Sequence, residues 1–151
     1  MFDSKRLTII AGPCSLENEE MCFQVAKFAT KVTAELGIDY IFKGSFDKAN
    51  RTSSQSFRGI GMDQGLSILS LIRKEFNVPV LTDIHETYQV DAVAKTVDII
   101  QIPAYLCRQT SLIEAAVKAI NKGNNISSAL NIKKGQFLAP WDTEMIVKKA
   151  K

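Results

Sequence analysis

The sequence predicts an α/β protein built from parallel strands and crossover helices. Three observations carry this. Short runs rich in Ile, Val and Leu recur along the chain, stretches with helical apolar spacing separate them, and every run ends in polar, chemistry-bearing residues. Near-continuous apolarity within a run is the pattern of a strand covered on both faces, as in parallel sheets. Repetition of strand, helix and strand makes right-handed βαβ units.

The first run, residues 7–11, ends in Gly12-Pro13-Cys14. Residues 18–36 then place Met21, Val25, Phe28, Ala29, Val32 and Leu36 at helical spacing, and Gly37 supplies the stop. The second run, 38–42, leads into a basic stretch. Residues 62–76 repeat the helical pattern with Leu66, Leu69, Ile72 and Phe76. The third run, 78–81, is followed by a short helix over 87–95, and the fourth, 97–100, by one over 111–120. The fifth, 129–132, is less clean. Asp142 is placed to cap a helix over 143–151, whose start Trp141 is expected to pack.

Two architectures fit this alternation: an open doubly wound sheet and part of an eight-stranded barrel. A complete barrel needs about 250 residues, so a length of 151 favours the open sheet. Ala11-Gly12-Pro13-Cys14 is not the G-x-G-x-x-G fingerprint, so a dinucleotide fold and a nucleotide cofactor have no support. No P-loop, H-E-x-x-H or paired CxxC occurs. No linker divides the chain, and a single domain is expected.

Composition narrows the function classes. With 46% hydrophobic and 23% charged residues the chain is an ordinary globular one. A net charge of +3 is too small to imply nucleic acid. No run approaches the 18–20 apolar residues of a membrane span. The basic Lys5-Arg6 pair precedes only a short apolar run, too short for a signal peptide, so a cytoplasmic protein is expected. Cys14, Cys22 and Cys107 are odd in number and widely spaced, which reads as free thiols. Cys22 falls on a helix and Cys107 in a loop, both in structural roles.

The densest chemistry lies in residues 43–53, where Lys43, Lys48, Asn50, Arg51 and the hydroxyls of Ser45, Thr52 and Ser53 crowd together. Cations and donors at a strand tip suit anionic oxygen, most naturally phosphate. The other strand ends offer Asp83 and His85, Gln101, and Lys133 and Gln136. In parallel α/β folds the strand C-termini share one face, which carries the site. Lys43, Lys48, Asp83, Gln101, Lys133 and Gln136 are therefore expected to form an anion pocket with a proton-transfer group in it.

Five motifs in order make a resemblance specific. They are Ile-Ala-Gly-Pro-Cys-Ser (10–15), Phe-Lys-Gly-Ser-Phe-Asp-Lys-Ala-Asn-Arg-Thr-Ser (42–53), Leu-Thr-Asp-Ile-His-Glu (81–86), Gln-Ile-Pro-Ala-Tyr-Leu-Cys-Arg-Gln-Thr (101–110), and Asn-Ile-Lys-Lys-Gly-Gln-Phe-Leu-Ala-Pro-Trp-Asp (131–142). Together they resemble the 3-deoxy-D-manno-octulosonate 8-phosphate synthase family, over nearly the whole chain. A sister family, the aldol-type synthase of aromatic amino-acid biosynthesis, shares the barrel and the phosphoenolpyruvate chemistry. It typically has Lys-Pro-Arg where this chain has Lys48-Ala49-Asn50-Arg51, so the Ala-Asn pair favours the octulosonate enzyme.

The resemblance implies an incomplete (β/α)8 barrel of about five βα units, and a transferase. Phosphoenolpyruvate would condense with the aldehyde of arabinose 5-phosphate, water would add at the former enol carbon, and phosphate would leave. Lys43, Ser45, Lys48, Gln101 and Lys133 would hold phosphoenolpyruvate. Asn50, Arg51, Thr52 and Gln136 would hold the sugar phosphate, with Asp83 near the reacting carbons and Lys48 and Lys133 also catalytic. Some family members carry cysteine at the position of Cys14 and bind a divalent metal, so the resemblance makes Cys14 a metal ligand. A thiolate suits Zn, Fe or similar borderline ions. His85 is expected to support Asp83 and not to bind the metal. Arg58 and Arg108 are open between phosphate or subunit contact and surface salt bridges, and Lys134 is expected to face solvent. Small-molecule substrates and a homo-oligomer are implied, with neither nucleic acid nor membrane, in the pathway that makes the octulosonate sugar of lipopolysaccharide.

The chain also departs from the resemblance. The family barrel has eight strands and five are legible here, so the chain is expected not to turn over by itself. Residues 119–130 read as an inserted, Asn-rich loop. Beside the main reading stand the sister reaction with erythrose 4-phosphate and a non-catalytic module that binds sugar phosphate or a second protein.

Overall fold

The computed structural model describes residues 6–151; Lys5, half of the basic pair before the first strand, lies outside them. The chain forms two compact units, Met1–Leu81 and Thr82–Lys151.

The first unit holds β1 (Thr8–Ala11), α1 (Glu19–Glu35), β2 (Asp39–Lys43), α2 (Met62–Phe76) and the first half of β3 (Val80–Asp83). β1 pairs parallel with β2 from Thr8↔Asp39 to Ala11↔Phe42, and β2 with β3 at Phe42↔Val80 and Lys43↔Leu81. Asn18 starts α1: its backbone is extended and its side-chain oxygen accepts the Met21 N–H at 2.8 Å. Gly37, at φ +64°, ends it in the left-handed conformation that costs a residue without Cβ least.

α1 buries only part of the expected face: Met21, Val25, Ala29 and Val32 are half-buried. Its buried residues are Cys22, Ala26 and Thr33, while Phe28 is 71% and Leu36 65% exposed. The most buried stripe is made of small side chains beside that face, and apolar periodicity errs at Phe28 and Leu36. α2 behaves as read: Leu66, Leu69 and Ile72 are buried, together with Gly65 and Ile68. Phe76 is only half-buried and meets Phe23 edge-on at 5.5 Å. At Gly65 a Cβ would lie 2.4 Å from the Phe46 Cβ, so the helix sits close against that residue because it lacks a side chain there.

The second unit takes the end of β3 and adds α3 (Val90–Ala94), β4 (Ile99–Ile102), α4 (Thr110–Asn121), β5 (Ala129–Ile132) and α5 (Thr143–Lys149). β4 and β5 pair parallel from Ile99↔Ala129 to Ile102↔Ile132. The inserted stretch becomes the last turn of α4, a loop and the start of β5. Gly123 takes φ +73° in that loop, and Asn125 donates to the Ala119 carbonyl at 2.7 Å.

Two strands lie further along than their apolar runs. β3 is 80–83 and β4 is 99–102. Val97 is held by its N–H to the Val93 carbonyl, a continuation of α3, and so is not yet strand. Thr82, Asp83 and Gln101 are buried polar residues within strands, where the hydrophobic pattern ends too early. Asp142 stands at the N-cap position of α5, but its side chain makes no capping bond to that helix. Its carboxylate accepts the Ala139 N–H at 2.9 Å and closes a 3₁₀ turn, Pro140–Asp142, from which the helix runs on. That turn leaves Trp141 78% exposed, so it packs nothing at the helix start; Ile146 is the buried residue of α5.

Strand order is β1-β2-β3 in the first unit and β3-β4-β5 in the second, with no reversal in either. A doubly wound sheet requires a reversal at its switch point. The open sheet favoured by length is therefore wrong, and the incomplete α/β barrel implied by the motifs is the fold. β3 and β4 are buried at every residue, as parallel strands covered on both faces should be, whereas β1 and β5 are half-buried.

Candidate active site

In the first unit the site grows from the end of β2. Lys43 closes the strand, and Ser45 follows it fully buried. Ser45 is bridged to Ser15 in parallel register, and its carbonyl accepts the Leu16 N–H at 2.9 Å. The turn after β1 thus lies flat against the turn after β2. A Cβ on Gly12 would lie 2.0 Å from the Lys43 carbonyl oxygen, so only glycine permits this approach.

The Ser45 hydroxyl accepts from two ammonium groups, Lys43 Nζ at 2.6 Å and Lys48 Nζ at 2.8 Å. Lys48 is fixed from its backbone, donating to the Arg58 carbonyl at 2.6 Å. Two ammonium groups gathered on one hydroxyl concentrate donors and positive charge where anionic oxygen binds well. Arg58 forms a two-pronged pair with Asp47 at 2.9 and 2.7 Å, the salt-bridge alternative of the two left open. Asn50, Arg51 and Thr52 are exposed further along the loop, where Arg51 Nε donates to the Phe57 carbonyl at 3.2 Å. The structure therefore brings Lys43, Ser45 and Lys48 together and leaves Asn50, Arg51 and Thr52 on the loop surface.

Cys14 is exposed, not the small buried hydrophobe that an isolated cysteine usually is. Cys22 and Cys107 are buried, in keeping with structural roles, and burial raises the Cys22 thiol above its ordinary pKa. Among the described residues no three His, Cys, Asp or Glu side chains group as a metal centre.

In the second unit Asp83 closes β3, buried, with its carboxylate 3.2 Å from His85 Nε2. The support expected of His85 is present. Its backbone is held by Gln89, a residue that sequence reasoning passed over: the side-chain oxygen Oε1 of the buried Gln89 accepts the N–H of His85 at 2.7 Å and of Glu86 at 3.2 Å. Gln101, buried in β4, accepts a hydrogen bond from Asn131 of β5 at 2.9 Å, and Asn131 was likewise not foreseen. Lys133 extends β5 by one rung, its N–H donating to the Ile102 carbonyl at 3.1 Å, and its side chain is exposed, as is Gln136. Lys134 is exposed but not idle; its ammonium donates to the Gly135 and Leu138 carbonyls at 2.8 and 2.7 Å. Arg108 lies with Leu138, Asp142, Met145, Ile146 and Lys149 around a separate surface hollow.

The sequence matches the DAHP synthetase I family over residues 3–151. Among curated relatives, a 2-dehydro-3-deoxyphosphooctonate aldolase of Fusobacterium nucleatum is 52% identical over 96% of this chain and 50% of its own length. Proteins of the same name from Francisella tularensis and a Cyanothece species are 48% and 49% identical, over 99% and 97% of this chain and 52% and 51% of their own lengths. The chain spans about half the length of the curated relatives it matches.

Proposed function

The chain belongs to the DAHP synthetase I family, and from that premise we propose that it binds phosphoenolpyruvate and serves its condensation with D-arabinose 5-phosphate to 3-deoxy-D-manno-octulosonate 8-phosphate and inorganic phosphate. The observation that carries this is the pair of ammonium groups, Lys43 and Lys48, meeting on the Ser45 hydroxyl. A small dianion such as phosphoenolpyruvate matches that concentration of positive charge. The shared name of relatives about half identical to this chain supports the octulosonate product over the sister reaction.

In this reading Lys43 and Lys48 neutralise phosphoenolpyruvate, and Ser45 holds both ammonium groups in place before it arrives. Preorganised cations stabilise charge that develops as the C–C bond forms and phosphate departs. Gln101 and Lys133 contribute a neutral donor and a third cation. Asp83, with His85 beside it, is the group able to hold or move a proton near the reacting carbons. Asn50, Arg51, Thr52 and Gln136 take the sugar phosphate, where exposure on loops suits a ligand that orders them. A divalent metal would find one ligand in Cys14, and the described residues supply no complete centre around it. A cytoplasmic biosynthetic enzyme acting on small molecules as a homo-oligomer completes the reading. No described helix is long and apolar enough to cross a membrane.

The test is the choice of second ligand. Titrated into the phosphoenolpyruvate-saturated chain, arabinose 5-phosphate should bind more tightly than erythrose 4-phosphate. Equal or reversed affinities would contradict the assignment.

A further inference from the structure

We propose that Asn131 is a positioning residue that fixes the orientation of the Gln101 side-chain amide, so that Gln101 presents its NH2 end to an anionic ligand. The inference rests on the reading above that Gln101 binds phosphoenolpyruvate, and it deepens that reading.

Gln101 and Asn131 are register partners on the adjacent parallel strands β4 and β5, which brings their side chains to the same face of the sheet. Asn131 Nδ2 donates to Gln101 Oε1 at 2.9 Å. A primary amide has two unlike ends, a carbonyl that only accepts and an NH2 that only donates. With the carbonyl engaged by Asn131, the NH2 end is the part of Gln101 left to meet a guest. This matters because phosphate and carboxylate oxygens only accept. They attract the NH2 and repel the carbonyl, so a reversed Gln101 would work against binding. Gln101 is buried, and a reversed amide there would also place NH2 against NH2 at Asn131. The asparagine comes two residues before Lys133 in the same motif, so one short segment would supply both a ligand-binding cation and the group that orients a neighbouring ligand-binding amide.

The experiment is a calorimetric titration of phosphoenolpyruvate into the wild-type chain, N131A, Q101L and the double variant, with a melting curve for each. N131A should weaken binding about five- to tenfold, the effect of one neutral hydrogen bond. In the Q101L background the same change should cost nothing further, because residues acting as one unit are not additive. A purely structural role would lower the melting temperature and give additive losses, which would overturn the inference. N131D covers the case in which N131A folds poorly. It keeps the shape but only accepts, so it draws the Gln101 NH2 inward and turns the carbonyl toward the ligand. Its loss should exceed that of N131A; affinity equal to wild type would again overturn the inference. Absence of phosphoenolpyruvate binding by the wild type removes the functional reading and this inference with it. Wild-type binding that neither variant at position 131 alters removes this inference alone.

Discussion

The first unit gathers its polar groups by bringing backbone against backbone, and the second by pairing side chains. Lys43, Ser45 and Lys48 come from six consecutive residues, and they meet because the turn at Gly12 lies against the Lys43 carbonyl and Ser45 bridges to Ser15. Asp83 and Gln101 come from separate strands of the second unit. Each is oriented by a partner side chain, His85 for the carboxylate and Asn131 for the amide. The first cluster depends on a close backbone approach, and the second on hydrogen bonds between its own side chains.

That difference sets the order in which substitutions should act. The largest effect is expected at Gly12. With a Cβ 2.0 Å from the Lys43 carbonyl oxygen, G12A must push two turns apart, and chemical denaturation should show a loss of about 3 kcal/mol or more. A loss below about 1 kcal/mol would mean that the backbone approach is not what holds the first cluster.

The burial of Tyr40 in β2 should also show in alkali. Tyr40 donates to the Ala11 carbonyl at 3.1 Å, and burial pushes its pKa from 10.0 up to about 12. The folded chain therefore keeps the phenol proton that the unfolded chain loses first. The associated stability is fully present below about pH 10 and is lost as the pH climbs toward 12, amounting to about 2–3 kcal/mol. Y40F should remove that part of the decline in a pH series of unfolding curves; parallel declines in the two proteins would contradict it.

In the second unit Q89L removes the oxygen that accepts two backbone N–H groups before α3. A loss of about 2 kcal/mol is expected, with faster hydrogen exchange at the amides of His85 and Glu86. Unchanged exchange there would show that the turn holds itself without Gln89. The smallest effect belongs to the α1 cap. N18A should cost about 1 kcal/mol by thermal unfolding, and a neutral result would mean that the Met21 N–H is served equally well by water.

The contrast also explains what could be read from the sequence. The cationic cluster was legible because its members are close in the chain and chemically alike. Alternation gave the strands and helices, and α2 matched its run residue for residue. The strand ends slipped because Thr82, Asp83 and Gln101 are buried polar residues, and hydrophobic pattern stops at polarity whether or not the strand does. The face of α1 was read only in part, because a stripe of Cys22, Ala26 and Thr33 is inconspicuous beside Phe28 and Leu36. Length favoured the wrong sheet, and only the ordered motifs pointed to the barrel. Gln89 and Asn131 were missed for a simpler reason. Each acts on a neighbour through one hydrogen bond, and nothing in an isolated amide marks which neighbour it will orient. A signal was available for Asn131, which sits inside an apolar strand two residues from Lys133, where a polar side chain needs a partner.

In the proposed function Lys43 and Lys48, gathered on Ser45, receive phosphoenolpyruvate. A calorimetric titration of phosphoenolpyruvate into the wild type and K48M side by side tests this. Saturable binding that K48M weakens by about tenfold or more is the predicted result, in line with loss of a charge-assisted contact. Equal affinity in the two proteins, or no binding by the wild type, would contradict it.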